Sequence, residues 1–182
     1  EMAMAISTQI EHWSADAEIT HIVIAGSTPR AFCAGGDVRD LYQHITRGEF
    51  DRTRVYFRAE YNADLDVFNC PKPVVALADG IVMGGGAGLM QCSHYRIASS
   101  TTRFAMPESA IGLFPDAGAS IFLGRCSRPM ALFVGLAGQI IGAADCMMLG
   151  LADAVVPAEQ IADMRTDLLA CDVTGIDDVI AR

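Results

Sequence analysis

Three short segments hold residue types and spacings that could act together on a ligand. The first is Ala31-Phe32-Cys33-Ala34-Gly35-Gly36-Asp37. The second is Gly80-Ile81-Val82-Met83-Gly84-Gly85-Gly86-Ala87-Gly88. Each follows a predicted strand and precedes a predicted helix, so unpaired backbone N–H groups at the helix start point outward toward negative charge. Glycine lets a ligand approach the main chain closely. Two N–H groups from separate loops can then form an oxyanion hole. The third segment, residues 104–118, carries Glu108 and Asp116 eight positions apart among Phe, Met, Ile and Leu. Apolar neighbours desolvate an acid and raise its pKa toward the range useful for proton transfer. Two acids sharing one pocket can divide acid and base roles. The same residues also have a plain reading without chemistry. The glycines serve tight turns and helix–sheet packing, Glu108 is an early-helix acid, and Asp116 is a turn residue before Gly118.

Familiar phosphate and nucleophile motifs do not fit. The chain has no G-x-x-x-x-G-K-[ST] loop and no G-x-S-x-G elbow, and Leu89 stands where G-x-G-x-x-G needs its last glycine. The six cysteines (33, 70, 92, 126, 146 and 171) form no C-x-x-C pair, and the four histidines are dispersed. No metal site is expected, and the cysteines read as thiols of a reducing compartment.

The elements that must position these segments follow from the apolar pattern. Residues 2–15 have helical apolar spacing at Met4, Ile6, Ile10 and Trp13. Residues 21–26 read as a buried strand and residues 27–36 as a loop. Asp37 is placed to cap a helix beginning at Val38. Residues 50–68 form a long helix with a stripe of Val55, Ala59, Leu65 and Phe68, ending ahead of Pro71 and Pro73. Strands are expected at 73–78, 95–98, 103–106 and 154–157. Helices are expected at 85–92, 119–125, 130–137, 143–149 and 158–171. Strands separated by helices imply a largely parallel α/β sheet. Short unalternating apolar runs imply strands covered on both faces.

The bulk numbers set limits. The 182 residues suit one domain, and 52% hydrophobic with 19% charged content excludes a disordered tail. A net charge of −9 argues against nucleic acid and against an anionic membrane surface as partners. The apolar run 74–92 is long enough to suggest a membrane span. It contains Asp79 and five glycines, however, and a strand, a turn and a helix explain it better.

Taken together and in this order, the three segments resemble the crotonase (enoyl-CoA hydratase/isomerase) superfamily, over roughly residues 1–160. That resemblance implies a spiral of ββα units, usually assembled as a homo-oligomer. It also implies a boundary: a crotonase-like core over 1–160 and the start of a C-terminal helical region over 161–182. On the family pattern the chain lacks an N-terminal hairpin and much of the C-terminal helical part.

Carried across residue by residue, the oxyanion-hole donors are the N–H groups of Gly36 and Gly85. The hydratases carry a glutamate where this chain has Gly88, and a glycine where it has Asp116. The dienoyl-CoA isomerases have acids at the 108 and 116 positions and an aspartate at the Gly88 position. The run Met106-Pro107-Glu108-Ser109-Ala110-Ile111-Gly112-Leu113-Phe114-Pro115-Asp116 is similar nearly throughout to that of the 3-hydroxyisobutyryl-CoA hydrolases, as is Arg58-Ala59-Glu60-Tyr61. By that resemblance Glu108 and Asp116 are the catalytic pair, and Glu60 contacts the substrate hydroxyl.

The implied activity is hydrolysis of a short 3-hydroxyacyl-CoA thioester such as 3-hydroxyisobutyryl-CoA, a step of valine catabolism. No cofactor is implied beyond the coenzyme A of the substrate. The expected location is cytoplasmic, or the mitochondrial matrix in a eukaryote. Two other functions are kept open: an enoyl-CoA hydratase or isomerase on the same scaffold, and a non-catalytic acyl-CoA-binding subunit.

Overall fold

The computed structural model describes residues 1–181. After helix α1 (Met2–Ala15) the chain runs through β1 (Ile22–Ala25), β2 (Ala31–Cys33), α2 (Val38–Thr46) and α3 (Phe50–Phe68). Next come β3 (Val74–Ala78), β4 (Ile81–Met83) and α4 (Gly85–Cys92), then β5 (Tyr95–Ser99), β6 (Arg103–Ala105) and a 3₁₀ turn at Glu108–Ile111. The remainder is α5 (Ala119–Phe122), α6 (Arg128–Ala137), β7 (Ile141–Gly142), α7 (Ala143–Met148), β8 (Ala154–Val156), α8 (Ile161–Ala170) and α9 (Ile176–Ile180).

The strands form two sheets of four. One has the order β1-β3-β5-β8 and the other β2-β4-β6-β7. All pairings are parallel except β6 with β7. The chain therefore lays one strand in the first sheet, one in the second, and then a helical segment, three times over. That is a spiral of ββα turns.

Every residue of β3 is inaccessible to solvent. Val74, Ala76 and Ala78 join the main core with Met90, Phe104 and Phe122. Val75 and Leu77 point the other way, into a second cluster with Met164, Leu168, Ile176 and Val179 of α8 and α9. Successive side chains of a strand alternate between faces, and both faces here are covered. That is why the run carries no polar alternation.

Several expectations need correction. β2 lies inside the stretch expected to be a loop, and β4 inside the one expected to be only a glycine-rich turn. Both have three residues, too few to show a period. The expected apolar stripe of α3 faces solvent, because Val55, Leu65 and Phe68 are all more than half exposed. Its buried residues are Ala63, Asp64 and Val67, so the inward face of α3 is partly acidic. The Asp37 cap is present, with its carboxylate accepting from Arg39 N (3.1 Å) and Asp40 N (3.0 Å). The run 74–92 divides into β3, β4 and α4. Among the described residues no helix is long and apolar enough to cross a membrane.

Candidate active site

β2, β4 and β6 are adjacent and parallel, with Cys33 opposite Val82 and Met83 opposite Ala105. Their C-terminal ends lie side by side, so the three chemistry-bearing segments leave the sheet at one place. Gly35 (φ +89°) and Gly84 (φ +55°) turn their chains through backbone conformations that L side chains rarely adopt. The two loops nearly touch. A Cβ built on Gly35 would lie 3.6 Å from Gly85 N.

Gly36 follows that turn, and Gly85 opens α4. Among the described residues neither N–H donates to a protein acceptor. The hydroxyl of Tyr56 occupies the space beside Gly36 where a side chain would begin, and the Glu60 carboxyl does the same at Gly85. Both residues project from α3, one turn apart, so this helix forms a wall along the two loops.

Glu108 starts the 3₁₀ turn after β6 and is 6% exposed. A Cβ on Gly84 would lie 3.0 Å from its Oε1, and its Oε2 has no hydrogen-bond partner. The carboxyl thus faces the mouth formed by the two glycine loops, with one oxygen free. Burial raises its pKa above the ordinary carboxylate value, a hydrogen bond from its own backbone opposes the rise, and Asp116 adds to it. Two apolar residues of the run expected to desolvate it, Ile111 and Phe114, are themselves more than half exposed. Phe104 and Met106 of the same apolar run are, by contrast, wholly buried.

Asp116 is half-buried, and its Oδ2 accepts a 2.6 Å hydrogen bond from the Tyr61 hydroxyl. Glu60 is pushed up to about 7 by burial and by Asp116, with a hydrogen bond from Tyr56 opposing and Glu108 adding a smaller rise. The five expected site residues, Gly36, Gly85, Glu60, Glu108 and Asp116, therefore share one mouth. Among the described residues no group of three or more His, Cys, Asp or Glu is arranged to hold a metal ion. A separate open depression lies at the opposite ends of the same strands, beside Arg30, Asp79 and Arg103.

Sequence reasoning missed Tyr56, Asp64 and the role of Tyr61. Tyr56, Glu60, Ala63, Asp64 and Val67 fall at helical spacing on one face. An acid-bearing face in register with buried positions was the signal available.

This arrangement can stabilise an oxyanion with two main-chain donors while presenting acids to the same carbonyl carbon. The whole chain, residues 1–182, matches the family model described as enoyl-CoA hydratase/isomerase. It is 43% identical over 170 residues to the mitochondrial 3-hydroxyisobutyryl-CoA hydrolase of Gallus gallus, covering 93% of this chain and 44% of that protein. The Homo sapiens protein of the same description is 40% identical over 169 residues, with the same coverage of 93% and 44%. The chain thus spans less than half the length of the curated relatives it matches.

Among solved structures, a carnitinyl-CoA dehydratase from Mycobacterium thermoresistibile superposes with a TM-score of 0.92 at 32% identity, over 99% of this chain and 52% of that one. An enoyl-CoA hydratase from Rhodobacter sphaeroides gives 0.90 at 35%, over 94% and 51%.

Proposed function

We propose that this chain, which belongs to the enoyl-CoA hydratase/isomerase family, carries the catalytic site of a thioester hydrolase acting on short 3-hydroxyacyl-CoA, such as 3-hydroxyisobutyryl-CoA. The observation that carries the reading is the free Gly36 and Gly85 N–H pair with the buried Glu108 carboxyl beside it. The thioester oxygen sits between the two N–H groups, which stabilise the negative charge it gains as the carbonyl carbon becomes tetrahedral. One donor of this kind is typically worth ~10²–10³ in rate. Glu108 activates water or itself attacks the carbonyl carbon. The C–S bond breaks, the thiolate takes a proton, and water supplies the oxygen of the free acid. Asp116 orients water or hands over that proton, and Glu60 receives the substrate hydroxyl.

Hydrolysis is favoured over hydration by the surroundings of Gly88, where the resemblance places a glutamate in hydratases. A Cβ there would lie 2.5 Å from Ala117 Cβ and 3.0 Å from Asp64 Oδ2. A larger side chain at 88 has no room without moving both. The names of the relatives point the same way. The full protein acts as a homo-oligomer on a coenzyme A thioester, in the mitochondrial matrix if its source is eukaryotic. A hydratase or isomerase is the second reading, supported by the solved relatives.

The test is thiol release from a panel of short hydroxyacyl-CoA thioesters, run beside hydration of crotonyl-CoA. Release from 3-hydroxyisobutyryl-CoA without hydration of crotonyl-CoA is the expected result. Hydration without release means a hydratase. Acyl-CoA binding without turnover of either means a binding subunit.

A further inference from the structure

One acid at this site has no part in the chemistry just described. Asp64 lies one helical turn beyond Glu60 on α3, is 7% exposed, and its Oδ2 has no hydrogen-bond partner. That oxygen and the Ala117 methyl close over Gly88 of α4. Ala117 follows Asp116 directly and, with φ +45°, is the one non-glycine residue at positive φ among the described residues. A buried polar atom without a partner is destabilising, and far more so if it is charged. An apolar residue of similar size would avoid that cost.

The groups facing Asp64 come from every element around it. Glu60 and Tyr61 lie on α3, Cys92 on α4, Cys33 on β2, and Asp116 on the loop ahead of α5. None is a cation. Burial holds the Cys33 thiol above its ordinary value and pushes Cys92 up to about 12, and it also raises the Tyr61 hydroxyl. These three keep their protons near neutrality. The local charge is therefore decided by the acids alone.

We propose that Asp64 is a positioning residue for the thioester chemistry: its uncharged carboxyl is tolerated beside Glu60 and Asp116, and its charged form disables them. The inference rests on the thioesterase reading and extends it. Burial, then Glu60 and Asp116, push Asp64 up to about 8, so it holds its proton at neutral pH. Above that value its proton leaves and a new negative charge appears behind Glu60 and Asp116. That charge opposes the oxyanion forming at the two glycine loops and repels the negative charge of Glu60.

The experiment is the pH profile of kcat/KM for thiol release by the wild-type chain and by Asp64→Asn, which keeps the shape and cannot ionise. Wild-type kcat/KM is expected to fall about tenfold per pH unit above about pH 8, as one ionisation requires. In Asp64→Asn this alkaline fall should disappear or move up by more than one unit. The shape of the profile is the readout, whatever the variant's absolute rate.

Superimposable profiles overturn the proposal, because a merely structural Asp64 would change stability and leave the shape alone. If Asp64→Asn does not fold, a wild-type profile without an alkaline fall overturns it alone. Infrared spectroscopy of the wild type gives an answer independent of turnover. A protonated-carboxyl band that titrates out near pH 8 is expected, and its absence above about pH 7 overturns the proposal. Loss of thiol release in the wild type, with that band present, counts against the thioesterase reading instead.

Discussion

Tyr61 donates a 2.6 Å hydrogen bond to Oδ2 of Asp116; in the proposed mechanism the other oxygen of that acid meets water or the leaving thiolate. A hydrogen bond to a carboxylate is worth about 1.5–3 kcal/mol. Tyr61→Phe removes it without removing the ring packed against Phe57. The expected outcome is a fall in kcat of about tenfold or more with KM little changed, since the acid is misplaced rather than lost. Steady-state thiol release checks this, and an unchanged kcat removes Asp116 from the proposed chemistry. Glu108 and Asp116 were legible in the sequence because acids inside an apolar run are conspicuous. The exposure of Phe114 and Ile111 was not legible, since an apolar residue in a loop has no period to say which way it points. Tyr56 and Asp64 were hidden for a related reason. On α3 the acids occupy positions a core would normally claim, and the apolar residues Val55, Leu65 and Phe68 lie outside, so a reading by hydrophobicity chose the wrong face.

At the scale of elements, the site depends on three parallel strands that end together. β2, β4 and β6 have three residues each, and short strands rarely stand alone. They hold because β4 pairs on both sides and because the longer first sheet lies directly before each in the chain. Sequence pattern found β1, β3, β5 and β8, whose apolar runs are longest or best bounded. It found β6 as a short strand and missed β2, β4 and β7. The division into two sheets was thus invisible to periodicity, and the ββα spiral came from the family resemblance. Helix starts were more legible than faces. The Asp37 cap was readable because a capping carboxylate needs only its own backbone neighbours. Asp153 shows a longer-range device. Arg96 of β5 grips both its oxygens, Nη2 to Oδ1 at 2.5 Å and Nε to Oδ2 at 3.0 Å, and so ties the approach to β8 onto β5. These residues are 57 positions apart, and nothing local announces the pair.

For the whole molecule, the acids of the site set how stability varies with pH. Glu60 and Asp64, pushed up mainly by burial to about 7 and about 8, keep protons that an unfolded chain gives up near pH 4. Folding therefore loses stability as pH rises from about 4 through those values, by at most about 1.4 kcal/mol per pH unit for each group. Asp153 works in the opposite sense. Its burial would raise it, but the hydrogen bonds and charge of Arg96 hold it below the ordinary carboxylate value. Its contribution is present above the unfolded value and is lost as pH falls through the folded one. The melting temperature should thus be highest near about pH 4–5 and decline steadily toward about pH 8. A thermal series that is flat or rising across that interval contradicts the burial of these acids. The proposed thioester cleavage rests on one carboxyl, Glu108, beside two free main-chain N–H groups. The direct measurement is thiol release by Glu108→Gln, with acyl-CoA binding and melting temperature followed in parallel. Turnover is expected to fall by about 10³-fold or more, while binding and melting change little. A variant that cleaves 3-hydroxyisobutyryl-CoA at the wild-type rate contradicts the proposal.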